Sequence, residues 1–142
     1  MIGIDTNILM ALALLEHEFH ARTDEVLRLE IARGEDFAVT PAVLAEFIHA
    51  VTDPRRVERP LTMAQALDDA RYWWNAEQVR QVFPTPGSVA LSLEWMNRHH
   101  LGRKRVLDTQ LAATLHTAGV RRIFTSNSDD FRVFGVFELL VP

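Results

Sequence analysis

Short apolar runs that end abruptly in polar residues alternate along this chain with longer stretches whose apolar residues recur every three to four positions. The first run, Met1-Ile2-Gly3-Ile4, stops at Asp5-Thr6-Asn7, the pattern of a buried parallel strand leading into a capped helix. Thr6 or Asn7 is the expected cap of a helix over residues 8–15, which leaves Asp5 at the strand's carboxyl end. A second helix, over 21–33, sets Val26, Leu29 and Ile31 near one side and is stopped by Gly34. Phe37-Ala38-Val39 follows as a second strand. Thr40-Pro41 then opens a helix whose apolar face of Val43, Leu44, Phe47, Ile48 and Val51 is interrupted by Glu46.

Beyond a proline-bounded, arginine-rich loop at 52–60, the capping-box pattern Thr62-x-x-Gln65 starts a helix to about residue 76, with Leu67, Ala70 and Trp74 on its buried side. Residues 79–83 read as a strand and 84–87 as a turn. Ser88 is the expected cap of a helix through residue 99 that presents Val89, Leu93 and Met96, and Gly102 ends it. Arg103-Lys104-Arg105 leads into the last long helix, where Leu107, Leu111, Leu115 and Ala118 form a stripe with Asp108 beside it and Gly119 closes the helix. A strand over 122–125 runs into a polar loop at 126–131, and 136–141 is a final edge strand. Strands alternating with helices predict an α/β, three-layer architecture: a central, mainly parallel sheet flanked by helices, with right-handed crossovers.

Composition narrows the chemistry. The 142 residues, 48% hydrophobic, suit a single domain spanning 1–142. Cysteine is absent, so disulfides, thiolate metal sites and cysteine nucleophiles are excluded. The longest apolar stretch, 8–15, is too short to span a bilayer, and a soluble cytoplasmic protein with no membrane contact is expected. With a net charge of −4 and a pI near 5.8, contact with nucleic acid must be local rather than by bulk attraction. Arg55, Arg56 and Arg59 form one basic cluster and Arg103, Lys104 and Arg105 another, the second immediately before Asp108. Trp73 and Trp74, at helical spacing with Leu67 and Ala70, suit a core or subunit contact better than base stacking.

Four acids sit against apolar neighbours: Asp5 after a strand, Glu46 inside a helical apolar face, Asp108 after Val106-Leu107, and Asp130 before Phe131. Buried acids are disfavoured unless neutralised, and converging acids repel one another. A hard divalent cation, Mg2+ or Mn2+, relieves both problems with oxygen ligands alone. Glu46-x-x-His49 has the spacing used in carboxylate-bridged di-iron bundles, but those need a second copy and none is present. A haloacid-dehalogenase-type phosphatase needs a second acid where Asn7 stands, and a sugar-kinase or actin-like phosphate loop needs glycine where Thr6 stands.

Taken together, Asp5-Thr6-Asn7, Thr40-Pro41-x-Val43-Leu44-Ala45-Glu46-Phe47, Val106-Leu107-Asp108-Thr109-x-Leu111-Ala112-Ala113 and Thr125-x-Asn127-x-x-Asp130-Phe131 resemble, in order and spacing, the PIN-domain ribonucleases. More narrowly they resemble the VapC toxins of VapBC toxin–antitoxin systems. The resemblance covers the whole chain. It implies a PIN fold, an acidic Mg2+ or Mn2+ site, endoribonuclease activity on RNA, a cognate VapB-type antitoxin, and a homodimer. Asp5, Glu46 and Asp108 carry over directly. Where many members have Thr-x-Asp this chain has Asn127, which leaves the fourth acidic position to Asp130 or to no acid.

On this reading Asp5 and Asp108 are direct metal ligands, Glu46 shares the metal or holds a water, and the ion activates water for attack on a phosphodiester. Thr6, Asn7, Asn127, Arg103, Arg105 and the hydroxyls of Thr125 and Ser126 are candidates to orient substrate or ligand carboxylates. The alternative is a PIN-like domain with weakened catalysis that serves as a binding or assembly module, since an amide replaces one acid.

Overall fold

The computed structural model describes residues 1–142. Its centre is β1 (Ile2–Ile4), whose three residues are all buried. Next come α1 (Thr6–Ala13), α2 (His20–Ala32), β2 (Phe37–Val39), α3 (Pro41–Val51), α4 (Met63–Asn75), β3 (Val79–Gln81), α5 (Pro86–Arg98), a 3-10 turn (Arg103–Arg105), α6 (Val106–Thr117), β4 (Arg122–Phe124), α7 (Ser128–Arg132) and β5 (Glu138–Leu140). The five strands form one sheet in the order β3-β2-β1-β4-β5, and every pairing is parallel. The chain thus leaves β1 toward β2 on one side and returns to β4 on the other. In open α/β sheets the crevice beyond the carboxyl ends at such a switch point is where ligands bind. Asp5 and Thr125 follow the two strands that flank it.

Both faces of so short a sheet must be covered, and 25 buried apolar residues form one cluster around it. Ile2, Ile4, Phe37, Phe47, Phe124 and Leu115 are among its large, fully buried members. Helix α6 comes especially close to β1: a Cβ at Gly3 would stand 2.5 Å from Leu115 Cδ1, so only glycine admits this approach. The remaining helices pack as α1 with α2 and α3, and α3 with α4, while α5 lies along α6. No helix is long and apolar enough to cross a membrane.

Several local expectations are corrected. The first helix starts at Thr6, with the backbone of Asp5 as its N-cap, because the Asp5 carboxylate is engaged across the sheet instead of capping. In α2 the buried line is Thr23, Val26 and Glu30, while Leu29 and Ile31 are exposed; an ion cluster around Glu30 decides which face turns inward. The α4 capping box forms as read, but Ala66 and Ala70 are the buried residues, and Leu67 and Trp74 are half-buried along a groove against α3. Thr85 caps α5, with Pro86 in the first turn and Ser88 returning the capping-box bond. The inward face of α5 is then Ser88, Ser92 and Trp95, while Val89 and Leu93 are exposed. In α6, Leu107 and Ala118 face out, and Thr109, Leu111, Ala112 and Leu115 face in. The polar stretch 126–131 is not wholly loop, since α7 begins at Ser128. Strands β3 and β5 are shorter than read.

Candidate active site

Asp5 leaves β1 in extended conformation and is tied to the neighbouring strand by its own N–H, which donates to the Phe124 carbonyl at 3.1 Å. Its side chain is buried. Oδ2 accepts from Thr125 Oγ1 at 2.6 Å and from Asn7 Nδ2 at 2.6 Å. Asn7 is a staple between the two strand ends: Nδ2 also lies 3.3 Å from Thr125 Oγ1, and Oδ1 accepts from the Ser126 N–H at 3.0 Å. Burial pushes the Asp5 carboxyl up to about 6. The Thr125 hydroxyl and the Thr6 backbone N–H oppose that rise, the charge of Glu46 adds to it, and the Asn7 amide opposes it.

Glu46 reaches the same crevice from α3, which Thr40 caps by accepting from the Val43 N–H. Its Oε2 accepts from Thr6 Oγ1 at 2.9 Å. Asp108 stands in the first turn of α6, and its carboxyl is also pushed up to about 6. Burial is the main cause, followed by the charges of Asp5 and Asp130; Arg105 opposes these, and Glu46 adds a further rise. Asp108 therefore senses all three of the other acids. Asp130 sits in the first turn of α7 with its Oδ1 3.6 Å from Arg105 Nη1, and Arg105 Nε lies 3.8 Å from Asp108 Oδ2.

Asn127 does not present an amide in place of a missing acid within the Asp5 hydrogen-bond network. It is the exposed N-cap of α7, and its backbone N–H donates to Thr125 Oγ1 at 2.9 Å. Arg103 is exposed, beside but outside the acid group. Arg55 pairs with Asp53, and Arg59 with Glu16. Thr125, in the sequence one candidate hydroxyl among several, is the centre of the network. The available signal was its place at the end of the strand beside β1. Arg105, expected to orient substrate or ligand carboxylates, instead lies between Asp108 and Asp130, and its three-residue spacing to Asp108 allows that same-face ion pair.

The donor set suits a hard divalent ion in its chemistry: carboxylates only, repelling one another, two of them with raised proton affinity. No three Asp, Glu or His side chains are gathered into a ready-made cage. An ion that keeps several waters needs only one or two carboxylates, which Asp5 and Asp108 could supply. An apolar groove of about 400 Å³ between α3 and α4, lined by Leu44, Ile48, Leu67 and Trp74, contains none of the four acids.

Comparison with known proteins bears on the family and the fold. The family model described as the PIN domain matches residues 2–136. Ribonuclease VapC24 of Mycobacterium tuberculosis is 28% identical over 144 residues, covering 100% of this chain and 97% of that protein. Among solved structures, Mycobacterium tuberculosis VapC20, a Sarcin-Ricin loop cleaving toxin, superposes with a TM-score of 0.74 at 20% identity, covering 97% of this chain and 98% of that one. VapBC2 from Rickettsia felis, bound to a DNA fragment from its promoter, gives a TM-score of 0.71 at 16% identity, covering 100% and 99%.

Proposed function

This chain belongs to the PIN-domain family, and from that premise we propose that it is a VapC-type endoribonuclease, the toxin of a type II toxin–antitoxin pair, dependent on Mg2+ or Mn2+. The observation that carries the reading is the shared field of Asp108 with Asp5, Asp130 and Glu46 at the sheet's switch point. A surface acid cluster held for solubility would have no reason to bury Asp5 and half-bury the other three acids there.

Asp5 and Asp108 hold the ion. When bound, it supplies a Lewis acid that makes water nucleophilic near neutral pH and offsets charge building on the phosphoryl oxygens. Thr125 and Asn7 aim Asp5 and keep it ionised against burial. Thr6 fixes Glu46 Oε2, leaving Oε1 to position the attacking water and receive its proton. Arg103, exposed two residues before Arg105, is the cation proposed to meet RNA phosphates, and Asp130 stands at the fourth corner beside Arg105. The name VapBC2 of the Rickettsia felis relative supports restraint by a VapB-type antitoxin; a second copy of the chain is the further partner of this proposal.

The test is incubation of the purified protein with a mixed RNA pool in Mn2+ or Mg2+, beside chelator and Asp5→Asn controls. Internal cleavage that is lost in both controls is the expected result. Cleavage that persists unchanged in Asp5→Asn rules out the assigned centre. Co-expression with the product of the adjacent reading frame should restore growth, and failure of neighbouring proteins to bind or rescue counts against the toxin role.

A further inference from the structure

The Arg105 guanidinium enters the acid crevice from the turn that precedes α6. Nε is 3.8 Å from Asp108 Oδ2, Nη1 is 3.6 Å from Asp130 Oδ1, and Nη2 donates to the backbone carbonyl of Asp130. The Nε–H is buried without a hydrogen-bond partner. The neighbouring cations, Arg103 and Lys104, are exposed and pair with no acid. Three contacts from one planar group therefore fix a positive charge between Asp108 and Asp130.

That position has a meaning for metal loading. In two-metal phosphodiester centres the ions stand about 3.5–4 Å apart and act together on the attacking and leaving oxygens. Asp108 is the acid that Arg105 reaches together with Asp130, and it would serve both ions if two were bound. The second ion would lie between Asp108 and Asp130, where the guanidinium already stands. Charge balance points the same way: four carboxylates balance two divalent ions, and a fixed guanidinium among them would leave an excess of positive charge in a partly buried site.

We propose that Arg105 takes the place of a second metal ion, so that the centre loads one divalent cation on Asp5 and Asp108 while Asp130 is committed to the arginine. The inference rests on the metal-centre reading above and deepens it. Arg105 is on this account an internal counter-ion that sets metal stoichiometry.

Calorimetric titration of the chelator-treated protein with Mn2+, paired with electron paramagnetic resonance, tests the proposal. The wild type should bind one ion per chain and give the six-line spectrum of an isolated Mn2+. Arg105→Gln should bind two, with the broadening of a coupled pair, and Arg105→Gln/Asp130→Asn should return to one. Arg105→Lys, which keeps the charge, should stay at one. Thermal melts establish that each variant is folded. Should Arg105→Gln not fold, Asp130→Asn alone decides: its Mn2+ affinity should fall less than tenfold, because Asp130 is not a ligand, and a larger loss overturns the proposal. Two ions on the wild type, or one ion on folded Arg105→Gln, also overturn it. One ion that Asp5→Asn abolishes leaves the metal-centre reading standing whatever Arg105 does, whereas no Mn2+ uptake by the wild type defeats that reading and this inference together.

Discussion

Thr125 Oγ1 donates a 2.6 Å hydrogen bond to Asp5 Oδ2 across 120 residues of sequence. The bond spans the carboxyl ends of β4 and β1, neighbours in the parallel sheet with Gly3 opposite Ile123 and Ile4 opposite Phe124. The hydroxyl in turn accepts from the Asn127 N–H at 2.9 Å, so the turn into α7 holds it in place. The Thr125–Asp5 hydrogen bond is the main influence opposing the burial that raises Asp5.

Replacing Thr125 by valine keeps the shape and removes the bond. A hydrogen bond to a charged group contributes about 1.5–3 kcal/mol, so the Asp5 carboxyl should rise above its value of about 6 by roughly one pH unit or more. Mn2+ affinity measured against pH should then show its acid-side loss shifted to higher pH in Thr125→Val and little changed in Thr125→Ser. Coincident profiles for the wild type and the valine variant would remove Thr125 from this role.

The raised carboxyls oppose folding when no cation is bound. Asp108 has an unfolded value of 3.8 and a folded value of about 6, so its ionisation costs nothing below the first, an increasing amount between the two, and the full amount above the second. With the side chain 31% exposed, Asp108→Asn should stabilise the metal-free protein at pH 7 by on the order of 1 kcal/mol. Melting curves should show that gain shrinking toward zero as the pH is lowered to 4. A variant that is less stable than the wild type at pH 7 would contradict the assigned repulsion.

At the opposite end of the sheet the logic reverses. Glu30, with its side chain 3% exposed, accepts from Arg122 Nη1 at 2.9 Å and from Arg33 Nη1 at 2.6 Å. Arg122 in turn approaches Glu35 at 3.4 Å and Glu138 at 3.3 Å. The Arg122 bond is the main cause that holds the Glu30 carboxyl below its usual range, against burial. Its stabilisation is therefore present above the ordinary value of 4.5 and is lost as pH falls through the lower, folded value. Arg122→Met should cost about 3 kcal/mol, since it leaves a buried charge with reduced compensation. Glu30→Met/Arg122→Met should recover most of that loss in chemical denaturation, whereas additive losses would deny the pairing.

These contrasting ends explain what could be read in the chain. Asp5, Glu46 and Asp108 were legible because an acid inside an apolar pattern violates a rule with few exceptions, and several such violations point to one cause. The parallel sheet was legible from apolar runs at regular intervals. The inward face of α5 was not, because Ser88 and Ser92 satisfy their hydroxyls against local carbonyls, at the capping Thr85 and at Val89. Small polar residues can then turn inward while Val89 and Leu93 face out, and no periodicity of apolar residues reports this. Glu30 was hidden for another reason. Its partner Arg122 lies 92 residues away, so a glutamate in a polar helix looks like solvated surface until the fold brings the arginine over it.

Packing of α6 on β1 links stability to the placement of Asp108, and it turns on Gly3. A Cβ there would lie 2.5 Å from Leu115 Cδ1, 3.2 Å from Cδ2 and 3.3 Å from Cγ. Leu115 is fully buried, so its side chain has little room to turn away. Gly3→Ala should destabilise the protein by about 1–3 kcal/mol through overpacking. If the contact with Leu115 is the cause, shortening that side chain should relieve it. Leu115→Val alone should also destabilise, by loss of a buried methylene, yet Gly3→Ala/Leu115→Val should be more stable than the sum of the two single effects predicts. Such a double-mutant cycle isolates the pairwise coupling. Additivity within about 0.3–0.5 kcal/mol would mean that the added methyl is accommodated elsewhere and that α6 is not seated on Gly3. Asp108 lies two turns before Leu115 on the same helix, so displacement of α6 by the new methyl should also weaken Mn2+ binding in Gly3→Ala, with recovery in the double variant.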